Sequence, residues 1–480
     1  MKRTAFIFSL LFVCISSVSA RDGYKITLQI DGNKDSVMYL GYYYGKDTRV
    51  ADTAFNNGKG KFVFQGTREF LPGLYFFTNG RPNEYIDFVI YHEEPFFQFH
   101  TEQDHWDMSM RVKGSKQNEV FFNFQRANAR LYSDLEAAKH ELDSTAYVQY
   151  RQKAVQSIDS VKYDLIERYP DMMVAKMISA TQEIEVPKAD SAGVMLSDRQ
   201  RFEYFLAHNF DYMPLDDDFI VRTPRMVFYQ KVMDYVDKSL HGMPPAMICP
   251  LLDTLIDRSE PAPEVFKWLV HTLTEKYLQS NIMVYDEVYV HLIQRYYATG
   301  KAFWSSPSFI DEQVERANRW ERLLVGREAP ELVLFDTLRD VHSLHHMPGE
   351  LTLLLFWSPT CGHCRDIIPA LYEVFEEYSD SLDLSAFAIL TEPDENTVPK
   401  WKKFLADHHM TSPRWVNLNG GEANVDWREV YDVNTTPQVY LIDNASRKIL
   451  AKKLNATIFR DLCGMLVRQK EQRKSTTNPD

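Results

Sequence analysis

The chain has 480 residues, of which 45% are hydrophobic and 13% aromatic, so its length suits about two to four domains with packed cores. Its formal net charge at pH 7 is −13, and an acidic surface repels phosphate backbones and anionic headgroups. We therefore exclude nucleic acid and anionic membrane surfaces as expected partners. Five cysteines are too few for a disulfide scaffold, so they are expected to serve chemistry or core packing.

Residues 1–20 have the pattern of a secretory signal peptide. Two basic residues precede an apolar run, and Val18 and Ala20 occupy the positions that a signal peptidase reads. The run is shorter than the roughly 18 apolar residues of a spanning helix, and no later stretch approaches that length. We predict a mature chain without a transmembrane segment, in the periplasm or cell envelope. A lipid anchor at Cys14 is not expected, because Val13 is not the small residue that precedes a lipidated cysteine.

The patterns that follow change near residue 115. Over residues 21–114, short runs such as YKITLQI and KFVFQG alternate apolar and polar residues and are separated by turn residues. This period of two predicts an antiparallel β-sandwich. Over residues 115–323, apolar residues recur three and four apart among charges, which predicts a helical domain whose aromatic and Met side chains fill the gaps between helices.

Residues 324–470 alternate strand and helix patterns. The runs LTLLLFW, LSAFAIL and QVYLID are typical of buried strands, and helices are predicted from about Cys361 to Tyr378 and from Thr397 to His409. This alternation predicts a mostly parallel sheet covered by helices. Residues 471–480 are polar and predict a disordered tail. The predicted fold class is thus multidomain α+β, with a C-terminal α/β domain.

Cys361 and Cys364 are separated by Gly362 and His363. Haem attachment requires a histidine directly after the second cysteine, where this chain has Arg365. A closed zinc site requires four ligands, and the other histidines are scattered, so we predict no metal. A redox couple requires a strand that leads into a helix beginning at the first cysteine, because a helix N-terminus stabilises a thiolate. LTLLLFW and the helix after it fit this requirement.

The redox interpretation assigns roles to the residues around the pair. Cys361 is exposed and attacks a client disulfide, and Cys364, one turn into the helix, resolves the mixed disulfide. His363 lends positive character to the thiolate, and Trp357 shields the site. Thr436-Pro437, directly before QVYLID, is predicted to be a cis peptide that faces the cysteines and offers a backbone edge to an extended client chain. The alternative for that proline is a trans peptide that starts the strand.

These features together resemble the TlpA/ResA-like thiol:disulfide oxidoreductases of the thioredoxin superfamily. The resemblance covers residues 324–470 and rests on VGREAPELVLFD, FWSPTCGHC, Pro369, the insertion before Pro437, and TTPQVYLID. It implies a thioredoxin-like domain in an extracytoplasmic enzyme that exchanges electrons with protein disulfides and is kept reduced by a membrane thiol donor. No cofactor beyond the Cys361–Cys364 disulfide is expected. The N-terminal regions resemble extensions of such proteins, to which no activity is assigned.

Two departures from the family pattern concern proton transfer and the direction of electron transfer. Thioredoxins have a buried aspartate where this chain has Leu355, and the TlpA/ResA-like pattern implies a glutamate after the next strand, for which Glu392 is the best match. If Glu392 lies against Cys364 with little water, it can pass protons as that thiol ionises; otherwise it is a solvated loop carboxylate. The Gly-His dipeptide is more typical of isomerases and oxidants, although we predict a reducing enzyme.

Two other functions fit parts of the sequence. An envelope binding protein would grip a partner through its β and helical domains and carry a vestigial redox domain. A peroxiredoxin-like peroxidase would need a threonine three residues before its cysteine, whereas Thr360 is adjacent to Cys361. Cys249 and Cys463 are interpreted as buried core residues.

Overall fold

The computed structural model describes residues 23–477 apart from His92, His105, Asp107 and Thr337. The predicted signal peptide, including Cys14, and residues 478–480 lie outside this described part. The chain divides into two compact units, residues 1–239 with 258–265 and residues 240–257 with 266–480. The domain boundaries drawn from sequence stay predictions. Within the described residues, no helix combines the length and apolar character needed to cross a membrane.

The first unit begins with two four-stranded sheets. Their strands are β1 (Tyr24–Asp31), β2 (Val37–Tyr44), β3 (Asp47–Phe55), β4 (Lys61–Gly66), β5 (Gly73–Thr78), β6 (Tyr85–Ile90), β7 (Phe96–Glu102) and β8 (Arg111–Lys113). The sheet orders are β4-β1-β7-β8 and β3-β2-β5-β6. Rings from both sheets pack together, with the centroid of Phe77 5.4 Å from Phe64 and 5.7 Å from Phe99. The alternating pattern therefore produces a sandwich core.

One strand pair corrects the antiparallel prediction. β1 pairs antiparallel with β4, but it pairs parallel with β7, in the register Lys25 to Phe96 through Asp31 to Glu102. Alternation of apolar residues specifies which face is buried and carries no information on strand direction. A long connection between β1 and β7 permits the parallel pairing, which a short hairpin would forbid.

Helices follow the sandwich where the sequence pattern changes. In the first unit they are α1 (Lys116–Glu141), α2 (Ser144–Arg168), α3 (Met173–Ala180), α4 (Asp198–His208) and α5 (Tyr229–Asp234). Ser115 is the N-cap of α1, and its side chain accepts a hydrogen bond from the Asn118 N–H, which satisfies one of the free donors of the first turn. Next come α6 (Pro245–Asp257), α7 (Pro263–Leu278), α8 (Asp286–Leu292) and α9 (Pro307–Arg322).

The second unit contains a seven-stranded sheet of order β10-β9-β13-β12-β11-β14-β15. Its strands are β9 (Val333–Asp336), β10 (Val341–Ser343), β11 (Leu351–Trp357), β12 (Leu384–Leu390), β13 (Trp415–Ala423), β14 (Gln438–Asp443) and β15 (Lys448–Lys452). The helices are α10 (Gly362–Tyr378), α11 (Thr397–Asp407), α12 (Trp427–Val430) and α13 (Ala456–Thr477). β11 separates two cores, because Leu353 and Leu355 pack on one face and Leu354 and Phe356 on the other.

Two predictions for this unit are corrected. The sheet is mixed instead of mostly parallel, since β12 pairs parallel with β11 and β13 while β14, β15, β9 and β10 pair antiparallel. Hairpins at both edges reverse the chain without a crossover helix. In addition, α13 continues to Thr477, whereas a disordered tail is predicted over 471–480. The Lys, Glu, Gln and Arg residues of this segment are good helix formers, which explains the continuation.

Candidate active site

The cysteine pair lies where a buried strand leads into a helix. All seven residues of β11 are buried, and Cys361 is the N-cap of α10. The Arg365 N–H donates to the Cys361 carbonyl oxygen at 3.2 Å, which closes the first turn. Cys361 is half-buried, and Cys364 has no exposed surface. One thiol is thus open to solvent at the positive end of the helix dipole, and the other lies in the core.

The two thiols have opposite electrostatic environments. Burial disfavours ionisation of Cys361, but hydrogen bonds from the Thr436 side chain and from the first turn of α10 outweigh that effect and lower its pKa below the usual value. Burial raises the pKa of the Cys364 thiol to about 11. Because only the thiolate is nucleophilic, the arrangement favours attack by Cys361 and keeps Cys364 protonated until a later step.

The predicted loop opposite the cysteines is present. The Thr436-Pro437 peptide bond is cis, as the sequence predicts, and Pro437 is half-buried. The Sγ of Cys361 lies 3.4 Å from the carbonyl oxygen of Thr436, within reach for a thiol to donate a hydrogen bond. The structure therefore brings Cys361, Cys364, Thr436 and Pro437 together. Their roles in substrate binding and catalysis stay predictions.

Glu392 lies near the site, but it is exposed to solvent, whereas proton transfer to Cys364 requires an enclosed carboxyl group. Its side chain is exposed and accepts hydrogen bonds from Thr360 Oγ1 at 2.8 Å and from Ser358 Oγ at 3.1 Å. The carboxylate thereby braces the turn that precedes Cys361. This exposure fits the alternative of a solvated loop carboxylate better than an enclosed contact with Cys364, and a catalytic role for Glu392 stays a prediction.

His363 and Trp357 occupy contrasting positions. His363 is exposed on the first turn of α10, beside Pro437 in the wall of one cavity. Trp357 has no exposed surface, and its ring lies 5.3 Å from the ring of Phe404 inside the core. Trp357 can therefore shield Cys364 from the core side. It is predicted to bind substrate, but it has no exposed atoms that a client could contact directly.

The other two cysteines in the described part of the chain fit the interpretation as core residues. Cys249 and Cys463 are buried, and burial raises the pKa of each thiol to about 12. Such thiols are poor nucleophiles near neutral pH. Across the described residues, no group of three or more His, Cys, Asp or Glu side chains is arranged to hold a metal ion.

Residues outside the C-terminal α/β region also contribute to the surroundings of the site, and sequence reasoning missed them. Asp432, close to Thr436 along the chain, accepts hydrogen bonds from Arg319 Nε at 3.0 Å and from Trp320 Nε1 at 2.6 Å. Arg319 and Trp320 belong to α9, whose sequence predicts an ordinary amphipathic helix. No local signal marks them, because the contact is made only when the chain folds.

Comparison with protein families matches two parts of the chain. The family described as Domain of unknown function (DUF4369) matches residues 24–121. The family described as Thioredoxin matches residues 342–404, which include both cysteines of the pair. The first match covers the β-sandwich and the start of α1, and the second covers β11, α10 and β12.

Similar proteins have related descriptions. The thioredoxin-like protein YneN of Bacillus subtilis is 27% identical over 118 residues, which are 25% of this chain and 65% of YneN, less than two thirds of its length. The thiol-disulfide oxidoreductase YkuV of the same species is 25% identical over 22% of this chain and 76% of its own length. ResA of Bacillus thuringiensis, also a thiol-disulfide oxidoreductase, is 24% identical over 27% of this chain and 69% of its own.

Solved structures with a similar chain path include a thioredoxin-like protein from Bacteroides caccae. It is 19% identical, with a TM-score of 0.47, over 59% of this chain and 99% of its own. The thioredoxin domain of a thiol-disulfide oxidoreductase from Bacteroides vulgatus is 23% identical, with a TM-score of 0.26, over 30% of this chain and 97% of its own.

Proposed function

We propose, from the likeness of the C-terminal α/β region to TlpA/ResA-like thioredoxin-fold oxidoreductases, that the whole chain is an extracytoplasmic enzyme that reduces protein disulfides. The unequal cysteine pair carries the proposal. Cys361 is half-exposed with a lowered pKa, and Cys364 is buried with a raised one. This combination supports attack by the first thiol and resolution by the second.

The proposed reaction has two exchange steps. The Cys361 thiolate attacks one sulfur of a client disulfide; the client S–S bond breaks, a mixed disulfide forms, and the other client sulfur leaves as a thiolate that takes up a proton. Cys364 then loses its proton and attacks Cys361 Sγ, which releases the second client thiolate and closes the Cys361–Cys364 disulfide. Two electrons pass to the client, and the same steps in reverse oxidise a dithiol.

The partners follow from this cycle. Each turnover leaves the enzyme oxidised, so a thiol donor must reduce the Cys361–Cys364 disulfide again. We propose a membrane thiol donor and protein clients outside the cytoplasm, supported by the predicted signal peptide at residues 1–20 and by the TlpA/ResA-like resemblance. Because the net charge is −13, we propose no nucleic-acid partner.

A trapping experiment tests the proposal. With a disulfide-bonded protein client, Cys361→Ser should abolish exchange, because the attacking thiol is missing. Cys364→Ser should accumulate a mixed disulfide at Cys361, detectable by intact mass, because resolution is blocked. Cys249→Ala is the matched control and should retain exchange, since that thiol is buried and does not belong to the core that encloses Cys364. A Cys361→Ser protein that still exchanges disulfides would refute the mechanism.

The direction of electron flow requires the reduction potential. Equilibration of the purified chain against glutathione and thioredoxin buffers should give a value near or below about −250 mV, as for reducing thioredoxins. A potential between about −180 and −120 mV would instead assign the enzyme to oxidants or isomerases. Failure to detect any reversible couple would favour the envelope binding protein over the enzyme.

A further inference from the structure

A cavity of about 570 Å³ opens beside the cysteine pair in the second unit. One side is formed by His363, Ile367, Thr436 and Pro437, and Thr436 also contacts the Cys361 sulfur. The opposite side is formed by Leu278–Asn281, which follows α7, and by residues of α9 and the turn after it. Thr436 thus separates the cavity from the Cys361 sulfur, and about a third of the lining residues come from outside the C-terminal α/β region.

Ion pairs fix the helical side of the cavity in place. Asp286, at the start of α8, has no exposed surface, and its two carboxylate oxygens lie 2.6 Å from the ammonium groups of Lys452 and Lys453. Lys453 also donates to the carbonyl oxygen of Ser280 at 2.7 Å. The segment Leu278–Asn281 is thereby tied to the end of β15. A wall held by buried charge pairs presents a preformed surface to a ligand.

The two carboxylates and the two ammonium groups that line the cavity are engaged in ion pairs or hydrogen bonds. Asp286 holds the two lysines, and Asp432 holds Arg319 and the Trp320 indole N–H. A charged ligand group would have to displace one of these partners, which leaves a buried charge uncompensated. An apolar side chain needs no such exchange and gains by leaving water. The cavity chemistry therefore favours an apolar occupant.

We propose that this cavity is a client subsite that receives a large apolar side chain next to the reacting cystine and so determines which disulfides Cys361 attacks. The half-buried Trp320 and Ile367 supply the apolar surface, and the ammonium groups of Lys452 and Lys453 lie 5.7 and 5.5 Å from the Trp320 ring centroid. The volume of about 570 Å³ accommodates one large side chain of an extended segment together with its backbone. This inference rests on the proposed function, and it assigns client selection to residues 278–323.

Peptide substrates test the subsite directly. Peptides with one disulfide would be compared with the full reduced chain, each bearing Phe, Leu, Glu, Lys or Gly beside the same half-cystine. We expect kcat/KM to be about tenfold higher for Phe and Leu than for Gly, since burial of one large side chain supports discrimination of that order. Equal values for Phe and Gly, or a preference for Glu or Lys, would overturn the proposal.

Variants locate the preference in the cavity. Asn281 is exposed at the cavity wall, so Asn281→Trp should fold and fill the space, and the ratio of the Phe to the Gly peptide should fall toward one. Asn318→Trp, at an exposed position of α9 that does not line the cavity, is the matched control and should keep the ratio. An unchanged ratio in Asn281→Trp would overturn the proposal, and the peptide series on the unaltered chain decides independently of folding.

A small aromatic disulfide distinguishes failure of the subsite proposal from failure of the proposed function. It reaches Cys361 without using the cavity, so the unaltered chain should reduce it whether or not the subsite exists. Turnover of this reagent without discrimination among peptides would refute the subsite and leave the proposed function standing. Absence of turnover with the reagent and with every peptide would refute the proposed function itself.

Discussion

At the scale of single residues, two cysteines one helical turn apart have been given different chemistry by their surroundings. Cys361 caps a helix and shares hydrogen bonds with the loop at Thr436, whereas Cys364 is enclosed by the core. The spacing and the preceding strand predict which thiol is exposed. The brace from Glu392 to Thr360 could not be predicted, because a carboxylate in a loop can face either the solvent or the core.

The lowered pKa of Cys361 predicts the pH dependence of its alkylation. The thiolate is the reactive form and exists above the pKa, so the rate should rise with pH and level off with a midpoint below that of an ordinary exposed cysteine. Cys364, with a pKa of about 11, should react only at much higher pH. Iodoacetamide labelling of the reduced chain, followed at each cysteine by mass spectrometry, provides the measurement.

The contribution of Thr436 can be separated in the same assay. Thr436→Val removes the hydroxyl but keeps the backbone carbonyl near Cys361 Sγ, so we expect the midpoint of Cys361 alkylation to move upward, toward the usual value for a cysteine. Thr435→Val is the matched control, since Thr435 is the exposed neighbour and is not among the groups that lower this pKa. If both variants leave the midpoint where it is, the helix terminus alone accounts for the lowered pKa.

At the scale of elements, the sequence predicts which strands are buried better than it predicts their direction or which strands they pair with. Every residue of β11 and β12 is apolar or small, and both strands lie where the runs LTLLLFW and LSAFAIL place them. β13, Trp415–Ala423, was not predicted, because its polar and glycine residues hide the strand pattern. The parallel pairing of β1 with β7 depends on contacts distant in sequence, which periodicity does not encode.

The end of β15 shows how local backbone geometry creates a long-range contact. Adjacent residues of a strand point to opposite faces, yet Lys452 and Lys453 both reach Asp286. Lys453, directly after the strand, has a φ of 55°, so its side chain does not follow the alternation of faces along β15. Asp286 and Lys453 are 167 positions apart along the chain, so the sequence contained no signal for this cluster.

We expect Asp286→Asn to destabilise the second unit substantially. Removal of the carboxylate charge leaves two ammonium groups close together, one of them on the buried Lys452, without a counter-charge. Loss of one partner from a buried ion pair costs about 3 to 5 kcal/mol. Urea denaturation should show this loss, whereas Asp311→Asn, at an exposed position of α9, should remain within about 0.5 kcal/mol of the unaltered chain. Equal midpoints for the two variants would contradict the role of the cluster.

At the scale of the whole molecule, the chain forms two compact units, and the cysteine pair belongs to the second. Compact units commonly unfold as separate cooperative steps. We therefore expect calorimetry of the full chain to show two thermal transitions, of which only one shifts when Cys361 and Cys364 are oxidised to a disulfide. The Cys361→Ser/Cys364→Ser protein should show no shift under the same change of redox buffer. A shift of both transitions would mean that the units unfold together.

The complete burial of Cys364 has a consequence for kinetics. In the proposed mechanism, the thiol donor and the client must each form their covalent bond with Cys361, at different times. Neither reaction can begin while the other occupies that sulfur, so turnover alternates between two half-reactions. Double-reciprocal plots at several donor concentrations should therefore be parallel, as for a ping-pong mechanism.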